Sequence, residues 1–208
     1  MTPTPAPASR KPSLSRDRAM SHATAAQNTL EHLASKWCIA GSLRRGRASV
    51  HDIEHVVIPN YGVQSVPGSL FPREVNLLWH QLEQRVAEQT ARPHNYGNDD
   101  ANPSHRLGEK YRGYDLLFRG EWAHHEFFIA EPSTYGAILV IRTGPSLFSE
   151  LVMRSFNSRG EYRQINGELI DRVTMQRVPV YTEQQYLTLA GLAWVEPHDR
   201  DQYARCHA

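Results

Sequence analysis

The sequence predicts an α+β protein, with a mixed β-sheet flanked by helices and then a small α/β subdomain. Three observations predict it. Short β-branched or aromatic runs, such as residues 53–59 and 122–130, have strand character. Segments with apolar residues at helical spacing lie among them, residues 72–89 foremost. From residue 135 onward, two helical segments, a hairpin and a further helix form a second, smaller set.

A length of 208 residues suits one domain with a real core, or one domain plus an appendage. Hydrophobic residues at 40% and charged residues at 22% are an ordinary globular balance. A net charge of +1 excludes a global polycation, so any basic surface is local. Cys38 and Cys206 lie far apart and form no CxxC pair, which argues against a disulfide framework and against structural zinc. A reducing compartment such as the cytoplasm is expected. No apolar run reaches membrane-spanning length, and residues 1–20, rich in Pro, Ser, Ala and Arg, lack the apolar stretch of a secretory signal. They are expected to be a disordered tail. Residues 21–131 and 132–208 are the expected larger and smaller folded parts.

In order along the chain, residues 23–35 suggest a helix, with Leu30 and Leu33 on one face. Residues 36–40 read as a buried strand, 41–46 as a turn and 53–59 as a second strand. Residues 72–89 form an amphipathic helix on Val75, Leu78, Trp79, Leu82 and Val86, and 93–107 are a polar loop. Two strands follow, 111–118 and 122–130, joined at Arg119-Gly120-Glu121. A helix over 135–142 leads into Thr143-Gly144-Pro145, and another over 146–159 is closed by Gly160. Residues 162–180 alternate as a hairpin around Asn166-Gly167. The last expected helix, 182–189, has a capping start at Thr182.

The chemistry concentrates in Gly41-Ser42-Leu43-Arg44-Arg45-Gly46 and the following Asp52-Ile53-Glu54. A strand ending in Gly-Ser brings backbone N–H groups to a turn that no Cβ obstructs, which suits phosphate oxygens. Arg44 and Arg45 supply forked, charge-assisted contacts to phosphate. Asp52 and Glu54 are two residues apart on a strand and project from one face. Two such carboxylates beside a phosphate cradle are what Mg²⁺ requires. Glu126, a single charge inside a bulky run, is the expected third carboxylate, and Asp115 competes with it. His51, His55, His124 and His125 crowd the same region, and His124 shares a face with Glu126. It suits a hydrogen bond to that carboxylate or to a phosphate.

GSLRRGRASVHDIE resembles the family X DNA polymerase motif G-S-x-R-R-G-x(5)-D-x-D, with the same spacing. HHEFFIAEPSTYGAILVIRTGPSLFSELVMRSFNSRG resembles that family's third-carboxylate strand, its Thr-Gly turn and the helix after it. VPVYTEQQYLTLAGLAWVEPHDRD is similar to its ending. The resemblance covers about residues 37–58 and 109–201, and it implies a minimal palm plus thumb.

By that resemblance, Asp52, Glu54 and Glu126 hold two Mg²⁺ ions, with Mn²⁺ as a substitute, and Glu126 lies nearest the primer 3′-hydroxyl. Gly41, Ser42, Arg44 and Arg45 bind the phosphates of a dNTP, and Arg142, Thr143 and Gly144 lie towards its sugar and base. The implied activity is addition of dNMP to a primer-template or gapped DNA by a monomer, in repair or gap filling. The chain departs from the family at Glu54 and Glu126, where the family has Asp, and at Ile141-Arg142, where it has an aromatic pair. The alternatives are a template-independent transferase acting on RNA, protein or a small molecule, and a catalytically weak nucleotide- or DNA-binding protein.

Overall fold

The structure, a computed structural model, describes residues 13–65, 71–93, 108–165 and 167–207. The strands in chain order are β1 (Leu14–Ser15), β2 (Ala34–Ile39), β3 (Ser49–Val50), β4 (Ile53–Pro59), β5 (Tyr61–Gln64), β6 (Arg73–Asn76), β7 (Ala91–Pro93), β8 (Tyr111–Phe118), β9 (Glu121–Ile129), β10 (Tyr162–Ile165), β11 (Glu168–Asp171) and β12 (Arg177–Val178). The α-helices are α1 (Arg16–Leu30), α2 (Gly41–Arg44), α3 (Leu77–Ala87), α4 (Tyr135–Thr143), α5 (Ser146–Arg159), α6 (Glu183–Leu189) and α7 (Arg200–Cys206).

The four expected strands meet in one five-stranded sheet, ordered β2-β4-β9-β8-β7. Its β4–β9 pair is parallel and the others are antiparallel, so the sheet is mixed, as expected. The tight β8–β9 turn places Arg119 at φ 52 and Gly120 at φ 81, the mirror-image geometry that matches strand twist. On one face Val57, Tyr114, Leu116 and Phe127 pack against Leu78, Trp79 and Leu82 of α3 and Ala26 and Leu30 of α1. On the other face Val56, Phe128 and Ala130 pack against Tyr135 and Leu139 of α4. The rest of that second face carries the polar residues described below.

Several expectations on local structure are corrected: the helix expected over 23–35 ends at Leu30, with residues 34–35 already in β2, and the turn expected over 41–46 includes the single helical turn α2. The disordered tail does not extend to residue 20: α1 begins at Arg16, and Ala19, Ala23, Ala26 and Leu30 form a fully buried stripe at helical spacing. Small side chains let this helix lie close to the sheet, so alanine here signals packing rather than disorder. Residues 1–12 lie outside the described residues. The helix expected over 72–89 starts only at Leu77, because Asn76 caps it, accepting from the N–H of Leu78 at 3.0 Å and of Trp79 at 3.2 Å. Residues 73–76 instead pair with β5, so the helical spacing of Val75 is incidental. Of the expected polar loop, only Pro93 is described, at the end of β7.

From Tyr135 onward, α4, α5, α6, α7 and the antiparallel β10–β11–β12 sheet share a core of Phe148, Val152, Phe156, Leu169, Tyr186 and Leu187. Gly160 ends α5 at φ 71, and Thr182 caps α6 by accepting from the Gln185 N–H at 3.1 Å. The expected hairpin is present, with Ile165 paired to Glu168 and Gly167 at φ 84, while Asn166 lies outside the described residues. Gly136 lets α4 press against the backbone of Thr182, which a Cβ would strike. Among the described residues, no helix is long and apolar enough to cross a membrane.

Candidate active site

Strand pairing builds the site. β4 and β9 run parallel with Glu54 directly opposite Glu126, so the two carboxylates project from the same face of adjacent strands. Asp52 stands two residues before Glu54, at the mouth of β4. Burial, then Asp52, then Glu126 push the Glu54 carboxyl up to about 8, while Arg142 and Arg45 pull it down. The three expected carboxylates therefore feel one another, as do two of the expected arginines. Glu54 lies against the turn that follows β2: Gly41 has φ +65, and a Cβ there would run into the Glu54 carboxylate.

Glu126 is held from two sides. The Tyr111 hydroxyl donates to its Oε1 at 3.1 Å, and His124 Nε2 lies 3.3 Å from the same oxygen. Asp115, opposite His124 on β8, meets the other imidazole nitrogen at 3.2 Å. The competitor for the third carboxylate is thus the partner of His124. Two carboxylates flank this imidazole, and together they raise its pKa against the lowering effect of burial. The expected His124–Glu126 contact is present.

The turn residues come together with the Thr-Gly segment from 100 residues away. Arg45 donates through Nη1 to the Thr143 carbonyl, and Gly144, at φ +56, borders the same guanidinium. Arg142 stacks over the Phe128 ring at 3.9 Å, on the same face as Glu126. Of the expected nucleotide-contacting residues, Gly41 lies against the Glu54 carboxylate, Arg45 and Arg142 act on its charge, and Thr143 and Gly144 border the Arg45 guanidinium.

Arg44 is engaged differently from the expectation of a phosphate ligand. Its guanidinium forks onto both oxygens of Glu183, at 2.8 and 2.5 Å, and donates to Thr143 Oγ1 at 2.8 Å. Glu183 is 7% exposed and also accepts from the fully buried Arg200 at 3.0 Å. Arg45 and Arg47 both reach Asp201, at 3.2 and 2.6 Å. Glu183, Arg200 and Asp201 were missed as partners of this turn. The signals lay in Thr182-Glu183 and in Pro197-His198-Asp199-Arg200, where acid and base stand beside capping residues.

His55 and His125 face away from the site. They are fully buried beneath the sheet, with His55 Nε2 and His125 Nδ1 3.0 Å apart, and the Trp37 indole N–H donates to His55 at 3.1 Å. Burial lowers the His55 pKa to about 3 and lowers that of His125 well below its ordinary value.

The donor set of Asp52, Glu54 and Glu126 is hard oxygen, and a divalent cation would relieve the mutual repulsion that raises the Glu54 carboxyl, so these residues suit Mg²⁺ in chemistry. Among the described residues, no three of His, Cys, Asp and Glu already converge as a ligand group. Binding a cation would compete with the hold of Tyr111 and His124 on Glu126. No protein-family model and no curated protein matches the chain.

Proposed function

We propose that the chain is a metal-dependent nucleotidyltransferase of the family X DNA polymerase kind. It would add dNMP from a dNTP to a DNA 3′-hydroxyl and release pyrophosphate, with the folded chain from Arg16 to residue 131 as palm and 132–208 as thumb. The single observation that carries this reading is the in-register placement of Glu54 beside Glu126, with Asp52 next to them and the Gly41–Arg45 turn against Glu54.

In this reading Asp52, Glu54 and Glu126 hold Mg²⁺. The ion lowers the cost of negative charge on the attacking and leaving oxygens. The protein's own side chains do the positioning. Tyr111 and His124 fix the Glu126 carboxylate on the side where a primer terminus would lie. Arg45 presents a guanidinium to the phosphates, and Arg142, stacked on Phe128, adds positive charge on the same face. The backbone at Gly41 and Gly144 leaves room for close approach.

The test is primer extension on gapped, nicked and blunt DNA with Mg²⁺ and with Mn²⁺. Template-directed extension is expected, falling to background in Asp52→Ala while the far-ultraviolet spectrum stays unchanged. Extension by that variant at the wild-type rate would refute the assignment. Equal extension with and without template points to the template-independent alternative. A second reading, nucleotide or DNA binding with little turnover, is favoured by the Tyr111 and His124 contacts to Glu126, with which a catalytic cation would have to compete. Metal-dependent dNTP binding without product over hours would select it.

A further inference from the structure

The arginines after the Gly41 turn divide into two kinds. Arg44 belongs to a closed cluster: both Glu183 oxygens are occupied by it, one of them also by Arg200, and Glu183 and Arg200 are 7% and 0% exposed. A buried carboxylate between two guanidinium groups is costly to open, because breaking it strands an unpaired charge. Arg45, which also donates to the Thr143 carbonyl, and Arg47 lie outside that cluster. They share one carboxylate, Asp201, with Arg45 Nε 3.2 Å from Oδ2 and Arg47 Nη2 2.6 Å from Oδ1. The Arg47 side chain is 51% exposed, against 12% for Arg45 and 19% for Asp201, so the Arg47 limb of the bridge stands at the solvent edge, where ion pairs exchange readily.

Carboxylate and phosphoryl oxygens make the same forked, charge-assisted contacts to guanidinium. Asp201 therefore occupies the position on Arg45 and Arg47 that an anionic oxygen of a ligand would take. Its own helix, α7, is anchored elsewhere, through Arg200 to Glu183 and through Tyr203 against the Phe148 ring at 6.0 Å. Losing the Asp201 contact would loosen α7 without detaching it.

We propose that Arg45 and Arg47 together form a polyphosphate site, with Asp201 as its internal occupant in the absence of ligand. This rests on the nucleotidyltransferase reading and adds Arg47 to the residues that contact the phosphates. A polyphosphate carries several charges against the single charge of Asp201, so it displaces the carboxylate. The resting protein thereby keeps its two arginines paired and binds weaker anions poorly.

The test uses tripolyphosphate and the full chain. By calorimetry, Asp201→Asn is expected to bind it about fivefold more tightly than wild type, the scale of one light ion pair. Adding Arg47→Gln should remove that gain. In wild type, saturating tripolyphosphate should raise amide hydrogen exchange in residues 200–206, a readout that needs no variant and decides the matter if Asp201→Asn does not fold. Equal affinity in Asp201→Asn, unchanged exchange in α7, or no binding by either protein overturns the proposal. Primer extension by wild type together with unaltered affinity in Asp201→Asn sinks the internal occupant and leaves the polymerase reading. Displacement of Asp201 in a chain that extends no primer does the reverse.

Discussion

The two faces of the β4–β9 pair differ by one residue in sequence and by everything in environment. Glu54 and Glu126 project to one side, His55 and His125 to the other. On the histidine side the groups are sealed among Trp37, Phe127 and Phe118 and kept neutral. On the carboxylate side, like charges crowd together, with Arg45 and Arg142 as partial relief. One face is solved for stability and the other leaves a problem that a ligand would solve. Local strain of this kind marks functional sites more often than structural ones.

The largest effect that separates the faces is expected from truncation. Phe127 is fully buried, stacks on His55 with centroids 5.0 Å apart and meets the Trp37 and Trp79 rings edge-on. Phe127→Ala should cost about 3–5 kcal/mol of folding stability. Glu126→Ala, one residue away, should change stability by no more than about 1 kcal/mol and take primer extension to background. Urea denaturation of both variants checks this. Comparable losses of stability would erase the distinction between the faces.

The faces also titrate with opposite sign. His55 and His125 bind protons in the unfolded chain near 6.5, yet in the folded chain His55 does so only near 3 and His125 well below its ordinary value. Below 6.5 the unfolded state holds more protons, so this face adds stability as pH rises towards 6.5. The slope is about 1.4 kcal/mol per pH unit for each histidine. Glu54 ionises near 4.5 when unfolded and at about 8 when folded. Between those values the folded state holds the extra proton, so this face loses stability as pH rises. Urea melts in a chelator should therefore peak near pH 6.5. Glu54→Gln should flatten the fall above the peak, and His55→Phe should shallow the rise below it. A profile unaffected by Glu54→Gln would show that neither burial nor the neighbouring carboxylates raise the Glu54 carboxyl.

Much of this arrangement is legible in the sequence. The strands at 53–59 and 111–118 and the helix at 146–159 stand out because alternation and spacing are unambiguous there. The Gly41 turn and the three carboxylates follow from a spaced motif whose residues each have a chemical reason. Register is less legible: nothing local to β9 says that Glu126 lies opposite Glu54 rather than Ile53, since pairing is settled by the whole sheet. The partners of Arg44 and Arg45 were hidden for a related reason. Glu183 and Asp201 are 139 and 156 residues away in sequence, and each also reads adequately as part of the start of a helix.

The smallest expected effect tests whether the carboxylate face is tuned by a cation of the chain itself. Arg142 is exposed and stacked on Phe128, an arrangement worth only about 0.5–1 kcal/mol at such a site. Arg142→Ala should accordingly leave folding stability within about 1 kcal/mol of wild type. Its electrostatic effect is more specific, because Arg142 is the stronger of the two positive charges that oppose the rise of the Glu54 carboxyl. Removing it should push that carboxyl further up and leave the histidine face untouched. Carbon-13 NMR titration of the glutamate carboxyls should show Glu54 moving while the imidazole signals of His55 and His125 hold still. An unmoved Glu54 would mean that solvent, not Arg142, sets the potential over the site, and that the guanidinium before Thr143 has no electrostatic role there.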